Sequence, residues 1–294
     1  MDDKYFLYAY ELINTNLVNL DVNRAFNSIG SNIFFEFGKG KEIVYKKSSI
    51  VKIQNPVTKK YTYACIYNYL SGETIAWESY TMKHIKLLGK TMSDMHYELQ
   101  KLQIENIKLP SIRKELEEDI IEMKKYFQKN GVTIALRKKL KLVVKLNLLD
   151  KYNKLISEFI DKKDIVIHMD FVRGNILFTN KADLEISGIL DFEKVAIGPR
   201  IFDIARTLAF LLIDCKYKKD YKIKKYFLYS GYNKRGRLGL PNLTTLEYLI
   251  DYFLIFDFYK FLLHNPYESL YLNEHFIRIQ DYLLKRKIIF SCLV

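Results

Sequence analysis

The sequence predicts an α+β fold built as a small β-rich lobe followed by a larger, mainly helical lobe, and three observations carry that expectation. Aromatic and β-branched runs crowd the first part of the chain, apolar residues at helical spacing dominate from Trp77 onward, and one short β island interrupts the helical part between Ile165 and Glu193. With 294 residues, 49% of them hydrophobic and 28% charged, the chain can bury a substantial core without metal or disulfide staples. The same composition excludes a disordered tail and a short cysteine-rich secreted module.

Taken from the N-terminus, Ile33-Phe34-Phe35-Glu36-Phe37 reads as a strand, Gly38-Lys39-Gly40-Lys41 as a turn, and Glu42-Ile43-Val44-Tyr45-Lys46 as the returning strand of a hairpin. Tyr61 to Leu70 continues in strand style until Ser71-Gly72 breaks it. That break is the expected hinge, dividing the chain into residues 1–70 and 71–294. Beyond it, Ile85, Leu88, Met92 and Met95 recur at three and four, the period of a helix. Further helices are expected over Ile112 to Lys129, where Asn130-Gly131 marks a stop, and over Thr133 to Phe159. The remainder after Asp203 reads as helical, apart from a Gly/Asn/Arg-rich loop from Gly231 to Pro241.

Lys and Arg number 47 against 34 Asp and Glu, a formal net charge of +13. The lysines are scattered and no Arg-rich block stands out, so nucleic acid is not an expected partner. Cys65, Cys215 and Cys292 lie far apart and suggest neither a zinc site nor a bridged framework. The chain opens Met1-Asp2-Asp3-Lys4, acidic where a secretory signal would be basic. No apolar run reaches the roughly 18 residues of a spanning helix, and the densest, Tyr252 to Leu263, is interrupted by Asp257 and Lys260. A cytoplasmic protein without a transmembrane segment is expected. Nothing in the sequence bears on its oligomeric state.

The β island holds the chemistry. Ile165 to Phe178 and Ile186 to Glu193 flank the polar turn Asn180-Lys181-Ala182-Asp183, the pattern of an antiparallel hairpin. A register with Leu177 opposite Ile189 places Asn175 opposite Asp191, with Asp170 on the preceding loop. Two carboxylates and an amide oxygen at one mouth suit Mg²⁺, which takes one or two carboxylates plus substrate phosphates rather than an all-protein cage. In phosphoryl transfer one Asp orients or deprotonates the acceptor hydroxyl, while an Asn and a second Asp hold the metal. The His168, Asp170, Asn175 spacing alone would arise by chance in roughly one chain in a hundred. An Asp at the end of the next apolar strand makes coincidence a minor explanation.

His168 to Asn175, Leu190-Asp191-Phe192-Glu193, Gly198-Pro199 and Phe202-Asp203-Ile204-Ala205-Arg206 resemble the aminoglycoside phosphotransferase and choline kinase family, small-molecule relatives of protein kinases. Tyr67-Asn68-Tyr69-Leu70-Ser71-Gly72, Leu88-Gly89 and Met95-His96 are similar to that family's hinge and first large-lobe helix. The resemblance implies a protein-kinase-like two-lobed fold with ATP, or GTP, in the cleft and a hydroxylated small molecule as phosphate acceptor. It implies Asp170 as base or hydroxyl-orienting residue, and Asn175 and Asp191 as Mg²⁺ ligands that also hold the nucleotide. His168 would support the loop, and Asp203 would cap a helix and hold the catalytic loop, with Arg206 as its partner one turn later. In the small lobe the nucleotide lysine is expected at Lys46 or its neighbour Lys47, of which strand alternation lets only one face the cleft and Lys46 is favoured; Gly30-Ser31-Asn32 would place Ser31 over the phosphates, set against the plainer reading of an ordinary turn.

The chain also departs from its relatives. Met169 stands where the small-molecule family commonly has Gly, and His-Met-Asp and Asp-Phe-Glu replace the His-Arg-Asp and Asp-Phe-Gly of protein kinases. No G-x-G-x-x-G is present, and Ser48 to Lys60 contains Pro56 but no Glu to pair with the nucleotide lysine. These gaps define the alternative reading, a catalytically inactive kinase-like binding protein. On the C-terminal helices, Tyr248, Asp251, Tyr252, Asp257, Tyr259, His264, Tyr267, Glu268 and Glu274 form a set able to hold a cationic or hydroxylated acceptor, set against the plainer reading of core aromatics and solvated acids.

Overall fold

In the computed structural model, which describes residues 5–10, 50–54, 59, 61–68, 70, 72–102, 104, 109–158, 163–179 and 184–292, three N-terminal strands form one antiparallel sheet. Strand β3 (Tyr61–Asn68) lies between β1 (Tyr5–Tyr10) and β2 (Ile50–Gln54), pairing Ala64 with both Ala9 and Val51. The hairpin expected over 33–46, and with it Gly30, Ser31 and Lys46, lies outside the described residues. After β3 the chain runs through Gly72, whose φ of +145° is open to glycine; a Cβ there would meet Ser187 Oγ at 2.3 Å and the Phe178 carbonyl at 2.9 Å. Glu73 then exchanges both backbone hydrogen bonds with Phe178 at 2.9 Å, so the expected hinge is stitched to the β island.

Helix α1 (Met82–Leu99) begins at Thr81, whose hydroxyl accepts from the His84 N–H while His84 Nδ1 accepts from the Thr81 N–H. It buries Ile85, Leu88, Met92, Met95 and Leu99 completely, as its spacing predicts. Helix α2 (Ile112–Phe127) likewise turns Leu116, Ile120 and Met123 inward. The single helix expected from Thr133 to Phe159 is instead four elements: α3 (Asn130–Ala135), a π-helical turn (Leu136–Leu140), strand β4 (Leu142–Val144) and α4 (Asn147–Ser157). Lys141 ends the helical run in the left-handed region (φ +55°), and Val143 and Val144 then pair with strand β9 (Ile289–Ser291) from the far end of the chain. A partner that local periodicity cannot see overrides the helical pattern.

The β island consists of β5 (Ile165–Ile167), β6 (Ile176–Phe178), β7 (Ile186–Ile189) and β8 (Ala196–Gly198), with β5 pairing β8 and β6 pairing β7. The expected register is off by one: Ile176, not Leu177, faces Ile189, and Leu177 faces Gly188. A bulge between Leu177 and Phe178 absorbs the extra residue, and the ladder closes on Phe178 opposite Ile186.

Beyond the island come α5 (Ile201–Asp214), α6 (Asp220–Lys224), a π-helix (Lys225–Tyr232), α7 (Leu243–His264), α8 (Tyr267–Leu270) and α9 (Glu274–Lys285). Gly89 and Gly231 set the approach of α1 to the π-helix: a Cβ on Gly89 would stand 2.1 Å from the Phe227 carbonyl oxygen, and one on Gly231 2.5 Å from that of Lys86. The 22-residue α7 is a core helix, burying Leu249, Ile250, Tyr252, Leu254, Ile255 and Phe258. No helix among the described residues is long and apolar enough to cross a membrane.

Candidate active site

The residues of the motif meet on two loops, one between β5 and β6 and one between β7 and β8. The first runs from His168 to Asn175 and ends in a 3₁₀ turn, Arg173–Asn175, in which the Asn175 N–H reaches the Val172 carbonyl at 3.0 Å. Asn175 Nδ2 donates to the Asp170 carbonyl at 3.0 Å and to Asp170 Oδ2 at 3.1 Å, joining the two polar residues directly. The second loop starts where the Leu190 N–H donates to the Asn175 carbonyl at 2.8 Å. Leu190 is therefore the residue opposite Asn175, and Asp191 follows it in the left-handed region with φ +59°. That turn breaks the strand's alternation one residue late and still delivers an exposed carboxylate at the mouth. Asp191 Oδ1 accepts from the Glu193 N–H at 3.3 Å.

His168 clamps the two loops together. The Asp170 N–H donates to its Nδ1 at 3.2 Å, so Nε2 carries the proton and donates it to the Leu190 carbonyl at 3.1 Å. The Phe192 ring stacks edge-on against it with centroids 4.5 Å apart. Complete burial holds this imidazole below its ordinary pKa, against the opposing charges of Asp203, Asp170 and Asp191, and so keeps it neutral. A buried neutral histidine in this place supports the loops, as the sequence suggests.

Asp203, in the first turn of α5, anchors the first loop from below. Its Oδ2 accepts from the His168 N–H at 2.9 Å and its Oδ1 from the Met169 N–H at 3.0 Å. Two donors converge because Met169 adopts φ +61°, the conformation a glycine takes freely and a long side chain only under constraint. Asp203 thus holds the loop, but through the loop's backbone rather than as the expected cap of its own helix. His96 Nε2 adds a third contact to Oδ2 at 3.0 Å, and His96 Nδ1 meets the Tyr232 hydroxyl at 2.8 Å, all fully or nearly fully buried. Burial alone would raise the Asp203 carboxyl, yet the hydrogen bond and charge of His96, with the backbone hydrogen bond from His168, hold it below its ordinary value. Arg206 does not pair with Asp203; its Nη1 donates to both carboxylate oxygens of Asp257, at 2.7 and 2.9 Å.

One residue at the site was not legible in the motif. Lys194, three residues beyond Asp191 on the same turn, places Nζ 3.0 Å from Asp170 Oδ2. A basic residue directly after Asp-Phe-Glu is the only signal the sequence carried for it.

The acids expected to hold an acceptor are already partnered. Asp251 binds Arg286 at 2.7 and 3.0 Å, Asp257 binds Arg206, Glu268 binds Lys139 at 2.7 Å, and Glu274 binds Lys216 at 2.7 Å and Arg278 at 2.8 Å. Tyr252 is fully buried in the core. The plainer reading of that set, core aromatics and solvated acids, fits Tyr252, Glu268 and Glu274, whereas Asp251 and Asp257 are shielded from water against their arginines.

Among the described residues no three His, Cys, Asp or Glu side chains cluster into a metal cage. The site nonetheless fits a hard divalent cation that brings phosphate ligands with it. The Asn175 amide nitrogen is spent on Asp170, which leaves its oxygen as a donor atom, and the Asp191 carboxylate stands exposed.

Residues 47–222 match the model of the phosphotransferase enzyme family. No curated protein sequence matches the chain. Among solved structures, the chain is similar to amicoumacin kinase hAmiN in complex with AMP-PNP, Ca2+ and Ami, with a TM-score of 0.66 at 12% identity over 99% of this chain and 84% of that one. It is also similar to an aminoglycoside phosphotransferase from Alicyclobacillus acidocaldarius, with a TM-score of 0.56 at 13% identity over 97% and 83% of the two chains. A choline/ethanolamine kinase family protein from Mesorhizobium loti gives 0.54 at 12% identity over 96% and 83%. At such identities the likeness speaks for the α+β fold these kinases share, and the motif match covers more than half of the sequence. The chain therefore belongs to the phosphotransferase enzyme family.

Proposed function

We propose that the protein transfers the γ-phosphoryl group of ATP to a hydroxyl of a small molecule, with Mg²⁺ bound at Asn175 and Asp191. The observation that carries this reading is the junction of the two loops. Asn175 touches the Asp170 carboxylate at 3.1 Å, and His168 ties Asp170 to the residue preceding Asp191. In this role the Asp170 carboxylate accepts the acceptor's hydroxyl proton and orients its oxygen. The Asn175 amide oxygen and the Asp191 carboxylate would hold the cation, which would supply positive charge to offset that of the nucleotide phosphates. The neutral His168 and the buried Asp203 keep both loops fixed while charge moves. The nucleotide complex of the similar amicoumacin kinase supports a nucleotide donor.

The small lobe, residues 1–70, would cover the nucleotide with Ser31 over the phosphates and Lys46 on them, and residues 71–294 would supply the catalytic loops and the acceptor site. An inactive binding protein gains no support from the site, where Asp170, Asn175 and Asp191 all occupy the two catalytic loops.

Thermal melting with Mg²⁺ and ATP, and separately GTP, tests the reading on the wild type and Asp191→Ala. Binding at about a hundred times Kd adds about 2.7 kcal/mol of stability, so the wild type should melt several degrees higher and the variant should not. No shift at millimolar nucleotide would overturn the proposal.

A further inference from the structure

We propose that Lys194 is the cation that faces the transferring phosphoryl group, an inference that rests on the phosphotransferase reading of the site. Its Nζ lies 3.0 Å from Asp170 Oδ2, the oxygen that Asn175 Nδ2 also reaches at 3.1 Å. Among the described residues it forms the only salt bridge recorded to that carboxylate. Between Asp170 and Asn175 stand Phe171, Val172, Arg173 and Gly174, and the one cation there, Arg173, makes no salt bridge to the Asp170 carboxylate, whereas Lys194 does.

The pair has little structural value of its own. The Lys194 side chain is 55% exposed, and ion pairs with one partner in water add little to stability. Its position has chemical value instead. An acceptor oxygen in hydrogen-bond reach of Asp170 sits about 3 Å from the carboxylate, and the phosphorus it attacks sits about 3–3.5 Å beyond it. An unbranched four-carbon side chain already in contact with that carboxylate reaches the equatorial phosphoryl oxygens by rotating its last bonds. The turn that carries it also carries Asp191, so both groups close on the phosphates from the same side.

In the transfer step the acceptor O–H bond breaks and its proton passes to the Asp170 carboxylate. The acceptor oxygen forms a bond to the γ-phosphorus, and the bond from that phosphorus to the β–γ bridging oxygen breaks. The electron pair leaves on the nucleoside diphosphate. Negative charge spreads over the three equatorial oxygens as this happens, and the Lys194 ammonium meets it there. The interaction is weak with bound diphosphate alone and strong with the transferring group, which is the condition for raising turnover rather than ground-state binding.

The test needs no knowledge of the acceptor. Calorimetry measures ADP with Mg²⁺, then ADP with Mg²⁺ and aluminium fluoride, a mimic of the transferring group, on the wild type, Lys194→Met and Lys194→Arg. The wild type should tighten when aluminium fluoride is added. Lys194→Met should lose at least tenfold of that tightening while its affinity for ADP with Mg²⁺ stays within twofold, and Lys194→Arg should keep most of it. The inference is overturned if Lys194→Met tightens as the wild type does, or loses ADP affinity in the same proportion. It is overturned equally if the wild type binds ADP with Mg²⁺ and gains nothing from aluminium fluoride. A wild type that binds no ADP at all would instead sink the phosphotransferase reading, and Lys194's role with it.

Discussion

Asp203 gathers two backbone N–H groups and a histidine ring nitrogen on one carboxylate that is fully shielded from water. Replacing it by Asn turns one acceptor oxygen into a donor facing other donors, and a buried polar group left unpaired costs more than the bond it lost. Asp203→Asn should therefore lower unfolding stability by about 3 kcal/mol, read from urea or guanidinium titrations. His168 makes a second prediction, on pH. Burial holds its imidazole below the ordinary value, so below about pH 6.5 the unfolded chain takes up a proton that the folded chain refuses. Stability from this group is present above that value and is lost as pH falls through it toward the folded pKa. His84, also lowered by burial and by Lys218, has the same sign; Asp119, raised by burial to about 6, has the opposite one. The denaturation midpoint of the wild type should fall between about pH 7.5 and pH 5.5, and His168→Asn should flatten that slope whatever it does to the midpoint itself. At this scale much was legible from sequence. His168, Asp170 and Asn175 are separated by a handful of residues, and a short loop brings such neighbours together whatever the rest of the chain does. Lys194 and the Arg206–Asp257 pair were not legible, because a salt bridge depends on which surfaces tertiary packing makes adjacent.

Helices were the most readable elements, since burial of one face imprints its period on the chain. Ile85, Leu88, Met92 and Met95 recur at three and four and are all fully buried. Strand elements were readable as elements but not in their pairings. The β6–β7 hairpin exists where the apolar runs predict it, yet a single bulge shifts the register by one residue, and no composition signal marks a bulge. The β4–β9 pair was invisible for a related reason: Leu142–Val144 is too short to outweigh the helical pattern around it until Ile289–Ser291 arrives from the other end of the chain. The crossing of α1 with the π-helix makes a prediction at this scale. A Cβ at Gly89 would stand 2.1 Å from a backbone oxygen, and backbone cannot rotate away as a side chain can. Gly89→Ala should cost about 1–3 kcal/mol by forcing the two helices apart, seen as a lower melting temperature. His96 lies two turns further along α1, so transfer activity in this variant should drop along with stability.

For the molecule as a whole, the net charge is +13, and on the C-terminal helices Asp251, Asp257, Glu268 and Glu274 are each paired with an Arg or Lys. At a net charge of +13 the chain repels a polycationic acceptor at long range, while the two loops themselves carry Asp170, Asp191 and Glu193 beside Arg173 and Lys194. Neutral or anionic hydroxylated acceptors should show higher kcat/KM than polycationic aminoglycosides at low salt, with the gap narrowing as salt screens the field; equal values at low salt would contradict this. The sequence by itself determined the α+β class, the positions of most helices, and the phosphotransferase motif with its Asp and Asn. Each of these is written in local spacing, because a helix face or a catalytic loop is built from residues close in the chain. Tertiary structure decided the strand register, the partner of β4, the anchoring of the loop backbone by Asp203, the pairing of the C-terminal acids and the contact of Lys194 with Asp170. Those outcomes depend on which distant surfaces exclude water together, and no window of the sequence records that.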